Sequence, residues 1–263
     1  MSLMRHLSRF FVTLAAVAAS VTLHAQSLPL TETSENDIQA RFSAALEIPL
    51  GTKFALQWSE EARLKNNLGA VDKILSGLGV EYEPIQYLKA GVEYVFVNDN
   101  DLEDGWGIKH RLNVDVTGMY NVGRFELSLR ERVRFQFRSD STNRYEKPDP
   151  FITLRSRLKA AYDIRQSHWK PYVFAELYTT LNAPGPVGDY RTDAFYRDNY
   201  INRVRLGLGA KYKINRHNSL DFYYMVHFNR DYRARYKKGG DMKEWSLRKE
   251  CCHVFGIDYK FKL

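Results

Sequence analysis

The sequence predicts an all-β chain folded as an antiparallel transmembrane β-barrel, and three observations carry that expectation. The chain ends in an alternating strand, with Phe255, Ile257, Tyr259, Phe261 and Leu263 on one face and Gly256, Asp258, Lys260 and Lys262 on the other. It begins with Arg5 and Arg9 ahead of an apolar run from Phe10 to Val21 that closes in Thr22-Leu23-His24-Ala25. Between these ends the same alternation recurs, as a wall requires when lipid lies on one side and a polar lumen on the other.

Residues 1–25 read as a secretory signal peptide cut after Ala25, leaving 26–263 as one outer-membrane barrel domain. The apolar run is shorter than the ~20 residues of a spanning helix, and no Cys follows the cut to carry a lipid anchor. A mean hydropathy of -0.46 would suit a soluble protein, but a barrel dilutes its apolar face with a polar one. The 14% aromatic content favours the barrel, because Tyr, Trp and Phe collect in interfacial girdles.

The first clear strand sets Ile38, Ala40, Phe42, Ala44, Leu46 and Ile48 outward, and a turn at Leu50-Gly51-Thr52-Lys53 leads to Phe54, Leu56, Trp58, Ala62 and Leu64. Around Glu83-Pro84 lie Ile74, Leu78, Val80, Tyr82 and then Leu88, Ala90, Val92, Tyr94, Phe96. The fifth and sixth strands flank Asn121-Val122-Gly123. The sixth alternates most sharply, with Phe125, Leu127, Leu129, Val133, Phe135 and Phe137 against Glu126, Ser128, Arg130, Arg132, Arg134, Gln136 and Arg138. Ile152 to Tyr162 and Val173 to Leu177 give two more, meeting near Gln166-Ser167. Val204 to Tyr212 and Leu220 to Phe228 give the next pair, joined by Asn215-Arg216-His217-Asn218, and the C-terminal strand follows.

Short turns alternate with longer links around Asn66 to Asp72, Asn98 to Trp106, Ser139 to Pro150, Asn182 to Tyr200 and Arg230 to Arg248. Short turns belong on the periplasmic side, so the first clear strand starts outside and needs an upward strand before it. Ser27 to Thr33 is the candidate, giving about twelve strands, with ten as the alternative. A secreted sandwich or lipocalin-like barrel would turn the apolar face to a core; the loop alternation, signal peptide and aromatic terminus favour the membrane.

The layout resembles a family. A signal peptide, a strand start at Asn36-Asp37-Ile38, inward Glu-x-Arg spacing, a strand opening Trp169-Lys170-Pro171-Tyr172 and a Phe-x-Leu end are similar to the barrels called domain of unknown function 2490. The resemblance implies an outer-membrane barrel of a diderm bacterium and no established activity.

Function is then read from the inward face. Arg130, Arg132 and Arg134, then Arg155, Arg157 and Lys159, then Arg203 and Arg205 form a basic wall, with Glu61, Glu81, Glu93, Asp115, Glu126 and Glu176 as facing acids. Fixed positive charge in a low-dielectric tube attracts anions, giving a passive channel or binding barrel for small solutes. Alternatively these charges pair and plug the lumen, leaving a structural or surface-interaction barrel.

No enzyme is expected. A lipase needs a Ser and a His together on the outer face; Ser156 and His253 have that parity, but nothing brings them together and there is no Gly-x-Ser-x-Gly. Asp189, Asp193, Asp198, Asp231 and Asp241 lie in the outer links without a His for a rim protease. The acidic run Asn98 to Gly105 misses the calcium-loop spacing and reads as a solvated loop, so neither metal nor cofactor is expected. His227, set near Asp221, reads as lumen filler. Cys251 and Cys252 point to opposite faces, so a bond between them is strained. Lys and Arg follow strand parity and form no tract, which argues against nucleic acid; outer-membrane lipid and lipopolysaccharide, the latter met by Lys237 and Lys238, are the expected partners.

Overall fold

A computed structural model describes residues 30–101, 105–139, 143–194 and 196–263; the expected signal peptide lies outside them. The described chain is entirely strand, turn and loop. Its strands are β1 (Thr31–Leu50), β2 (Phe54–Lys65), β3 (Ala70–Ile85), β4 (Leu88–Asp101), β5 (Gly105–Val122), β6 (Phe125–Arg138), β7 (Phe151–Tyr162), β8 (Trp169–Pro184), β9 (Arg197–Lys213), β10 (Asn218–Tyr236) and β11 (Met242–Lys262). They pair in sequence order into one closed barrel.

Eleven strands close the ring, not twelve. Consecutive strands run antiparallel, so with an odd number the first and last point the same way, and β1 meets β11 in parallel from Thr31↔Ser246 to Glu47↔Lys262. Thr31 to Thr33, the described strand residues of the proposed extra strand, are instead the first turnward-running residues of β1; Ser27 to Pro29 lie outside the described residues. Direct β1–β11 hydrogen bonding leaves no edge for another strand to occupy.

One end of the barrel carries the short turns. Gly51, with φ of 74°, and Gly123, with φ of 60°, supply the left-handed conformations that these tight reversals need. Gly123-Arg124 is a two-residue turn with glycine at its first position, as a II′ turn requires. At the other end the expected long links are mostly strand. The β2–β3 connection is only Asn66 to Gly69, and β10 and β11 extend their ladder to Tyr236↔Met242 around a short loop. Residues 139–150 and 185–196 are the long connections. Polar strand ends that stand above an apolar band carry the same residues as loops, which is why sequence merged the two.

The outer face is apolar along the wall and aromatic toward both ends. At the turn end Phe54 stacks on Tyr82 at 4.7 Å, Phe125 meets Tyr162 at 5.0 Å, and Trp169 meets Tyr212 at 4.7 Å. Near the loop end Tyr232 stacks on Trp245 at 5.5 Å and Trp106 is exposed. Between them Leu78, Val92, Val116, Leu158, Val173 and Leu208 lie exposed.

Candidate functional site

The interior is built by pleat and register. Because side chains alternate, one register row across neighbouring strands points inward together. Arg130↔Arg157 and Arg132↔Arg155 face each other across β6–β7, and Arg157↔Glu176 and Glu176↔Arg205 continue the row across β8 and β9. The eight basic and six acidic residues singled out from sequence all fall on this inward side.

The basic wall is not free. Glu176, 1% exposed, is gripped by Arg155, by Arg157 at 3.4 Å and by Arg205 at 3.3 Å, and accepts a hydrogen bond from the Tyr178 hydroxyl at 3.1 Å. Tyr178 in turn accepts one from Arg205, and the guanidiniums of Arg155 and Arg203 lie 5.3 and 5.4 Å from its ring centre. Arg132 bridges Asp115 at 2.7 Å and Glu93 at 3.1 Å. Glu61 holds Arg63 at 2.7 Å, Glu81 holds Lys89 at 3.0 Å and Glu126 holds Lys170 at 2.8 Å. Arg134 donates to Asn113 at 3.3 Å, and Arg130 has no carboxylate within ion-pair distance among the described residues.

An apolar cluster, missed from sequence, packs on the inward side beside this network. Tyr172, Phe174, Met225, Cys252 and Val254 pack together with Ala161, and Tyr223 lies against them. Val254 is fully buried. Arg157 sits 4.4 Å over the Phe174 ring and Lys159 3.5 Å over Tyr172, so both charges cap the cluster. The rings fit because Gly207, Gly209 and Gly256 stand opposite Phe174, Tyr172 and Tyr223; any Cβ there would collide with the ring. Glycine and apolar residues on an otherwise polar parity were the available signal. Leu75, Val95 and Val97 form a second inward apolar patch.

Above this cluster the outer loops interlock. The Tyr190 amide donates to Gly240 at 3.2 Å, the Met242 amide to Gly188 at 2.6 Å, and the Val187 amide to the Tyr236 hydroxyl at 3.2 Å. The Tyr236 amide donates to Glu146 at 2.7 Å, and Tyr145 stacks on Tyr190 at 4.5 Å, drawing in the 139–150 connection. Pro186 and Val187 are buried in this assembly.

On the other side of the mouth a polar vestibule of about 680 Å³ stays open, lined from β1, β2, β3, β4, β9, β10 and β11. Its lining includes Arg41, Arg63, Arg203, His227 and Asn229. His227 does not pair with Asp221, which accepts a hydrogen bond from Tyr172 at 2.7 Å; it lies opposite Arg205 and Cys252 in register. Six residues along a strand separate His227 from Asp221 by about 20 Å, which sequence proximity hid. Cys251 and Cys252 are both free thiols.

The outer-face Ser156 and His253 are apart as well as differently engaged. Ser156 donates to Glu131 at 2.6 Å on β6, and His253 pairs with the Tyr224 hydroxyl at 2.6 Å on β10. In the acidic run, Asp99 binds Lys73 at 2.8 Å and also Lys109, and residues 102–104 lie outside the described residues.

A search among curated proteins found no match. A family model described as protein of unknown function (DUF2490) matches residues 38–237, from the middle of β1 to the end of β10. That span holds most of the chain, and the chain belongs to the DUF2490 family.

Proposed function

We propose that this chain is an outer-membrane barrel, exported through the periplasm of a diderm bacterium, that receives small polar solutes in its vestibule and has no standing water pore. Burial inside the wall carries this reading: Glu176 and Val254, at 1% and 0% exposure, sit on inward positions where an open pore would leave wet side chains. Support for the membrane comes from the exposed aliphatic band between aromatic ends, an arrangement that suits lipid between two interfaces. Exposed Lys237 and Lys238 at the loop end suit contact with anionic lipopolysaccharide. The reading is non-enzymatic, since Ser156 and His253 are engaged by separate partners, and it calls for no nucleic acid, metal or cofactor.

Planar-bilayer recording tests it. The inserted wild-type barrel is expected to be silent, while Phe174→Ala combined with Tyr172→Ala, which removes the lumenal rings, is expected to produce discrete conductance. Regular steps from the wild type overturn the closed lumen.

A further inference from the structure

The vestibule holds more positive charge than its own acids answer. Asp72 takes Lys65 and Lys73 at 3.4 and 3.3 Å, Asp99 takes Lys73, and Glu61 takes Arg63. Glu35 and Glu250 share Arg248 at 2.7 and 2.9 Å. Asp37 accepts from Gln39 at 2.9 Å and from the Asn67 amide at 2.7 Å. Arg41 and Arg203 are left with no carboxylate within ion-pair distance among the described residues; Arg203 donates to the neutral Asn229.

Arg41 is 7% exposed and its Nε has no partner, Arg203 is half-buried, and His227 is 2% exposed with an unpartnered Nδ1. Arg41, Arg63, Arg203 and His227 line the same cavity, and Arg205 lies opposite His227 in register, so guanidiniums gather on this side of the lumen. A guanidinium cannot shed its proton to escape burial, so an unmatched one carries a lasting desolvation cost that a bound anion would offset.

Resting on the reading that the vestibule receives solute, we infer that its floor is an oxyanion site, with Arg41, Arg203 and His227 taking the phosphoryl group of a small phosphorylated solute. Arg41, Arg203 and His227 line one cavity from three strands, β1, β9 and β10, so they approach a bound group from several sides and not as one planar fork, which suits a tetrahedral group better than a carboxylate. The cavity is larger than inorganic phosphate needs and lies in the range of small-ligand sites, leaving room for an organic remainder beside Asn36, Asn67 and Asn100.

Calorimetry on the full protein in zwitterionic detergent tests this with inorganic phosphate and glycerol 1-phosphate, and in nanodiscs with phosphatidic acid against phosphatidylcholine. Saturable binding of the soluble phosphates is expected. Arg41→Gln and Arg203→Gln should each weaken it about tenfold or more, Arg41→Lys less, and Arg124→Gln, exposed in the β5–β6 turn at the far end of the barrel, not at all. Heat-modifiable migration confirms that each variant is a folded barrel. Binding of phosphatidic acid alone, with the same Arg41 dependence, keeps the phosphoryl chemistry and assigns it to a lipid headgroup. No binding, or binding indifferent to Arg41 and Arg203, overturns the site. Conductance of the same preparation separates the two failures: a silent barrel that ignores phosphate loses the site alone, and a conducting one loses the closed lumen.

Discussion

Glu176 shows how one residue organises the charges of the interior. A carboxylate this buried is tolerable because three guanidiniums and a tyrosine hydroxyl surround it, and they are tolerable because it is there. Glu176→Gln keeps the shape and removes the charge, stranding Arg155, Arg157 and Arg205 together. Removing one partner of a buried charge group costs about 3–5 kcal/mol, so the urea midpoint of the barrel in lipid vesicles should fall steeply. Glu81→Gln breaks an ion pair with Lys89 that is partly open to solvent, where such pairs contribute about 0–1 kcal/mol. Equal midpoints for the two variants would refute the view that Glu176 organises the interior.

At the scale of strands, the pleat was legible and the register was not. Period-two alternation in β6, from Phe125 to Arg138, fixes which side chains point inward without knowledge of any neighbour. Whether Arg157 meets Glu176 depends on how β7 slides along β8, and no local pattern states that. The glycines of β9 and β11 illustrate the same limit: Gly207, Gly209 and Gly256 look like weak points of strands until Phe174, Tyr172 and Tyr223 are seen lying over them. Gly256→Val should therefore drive Tyr223 out of place and destabilise by about 1–3 kcal/mol, the usual range for overpacking. Gly118→Val on β5 has open space around its missing Cβ, and valine suits a strand, so a change within about 0.5 kcal/mol is expected. Denaturant titration of both variants, monitored by tryptophan fluorescence, checks the contrast; comparable losses at the two sites would show that the ring contact is not what requires glycine.

For the molecule as a whole, closure sets where everything else lies. Reasoning from loop lengths placed the start of the first clear strand at the long-loop end, which agrees with β1, but then added a strand because single-chain bacterial barrels are usually even. The parallel β1–β11 seam makes that addition unnecessary, since it lets an odd ring close with its first strand starting at the loop end. It also brings Arg41 of β1 beside β11, and through β10 toward Arg203 of β9, so the vestibule floor exists only if this closure is right. In the seam Asn36 lies opposite Cys251, and parallel register partners have Cβ atoms on the same face. With Cys252→Ser removing the neighbouring thiol, Asn36→Cys should oxidise to a disulfide with Cys251, because directly paired strands about 4.8 Å apart lie within the Cα span a disulfide accepts. Ile38→Cys, opposite His253, should link far less. An interposed strand would hold Asn36 and Cys251 about 9–10 Å apart, beyond bridging distance. Mass spectrometry of tryptic peptides from the oxidised, folded barrel reads the result: a linked pair of N- and C-terminal peptides supports the eleven-strand ring, and its absence in protein that remains folded would require another closure and a different vestibule.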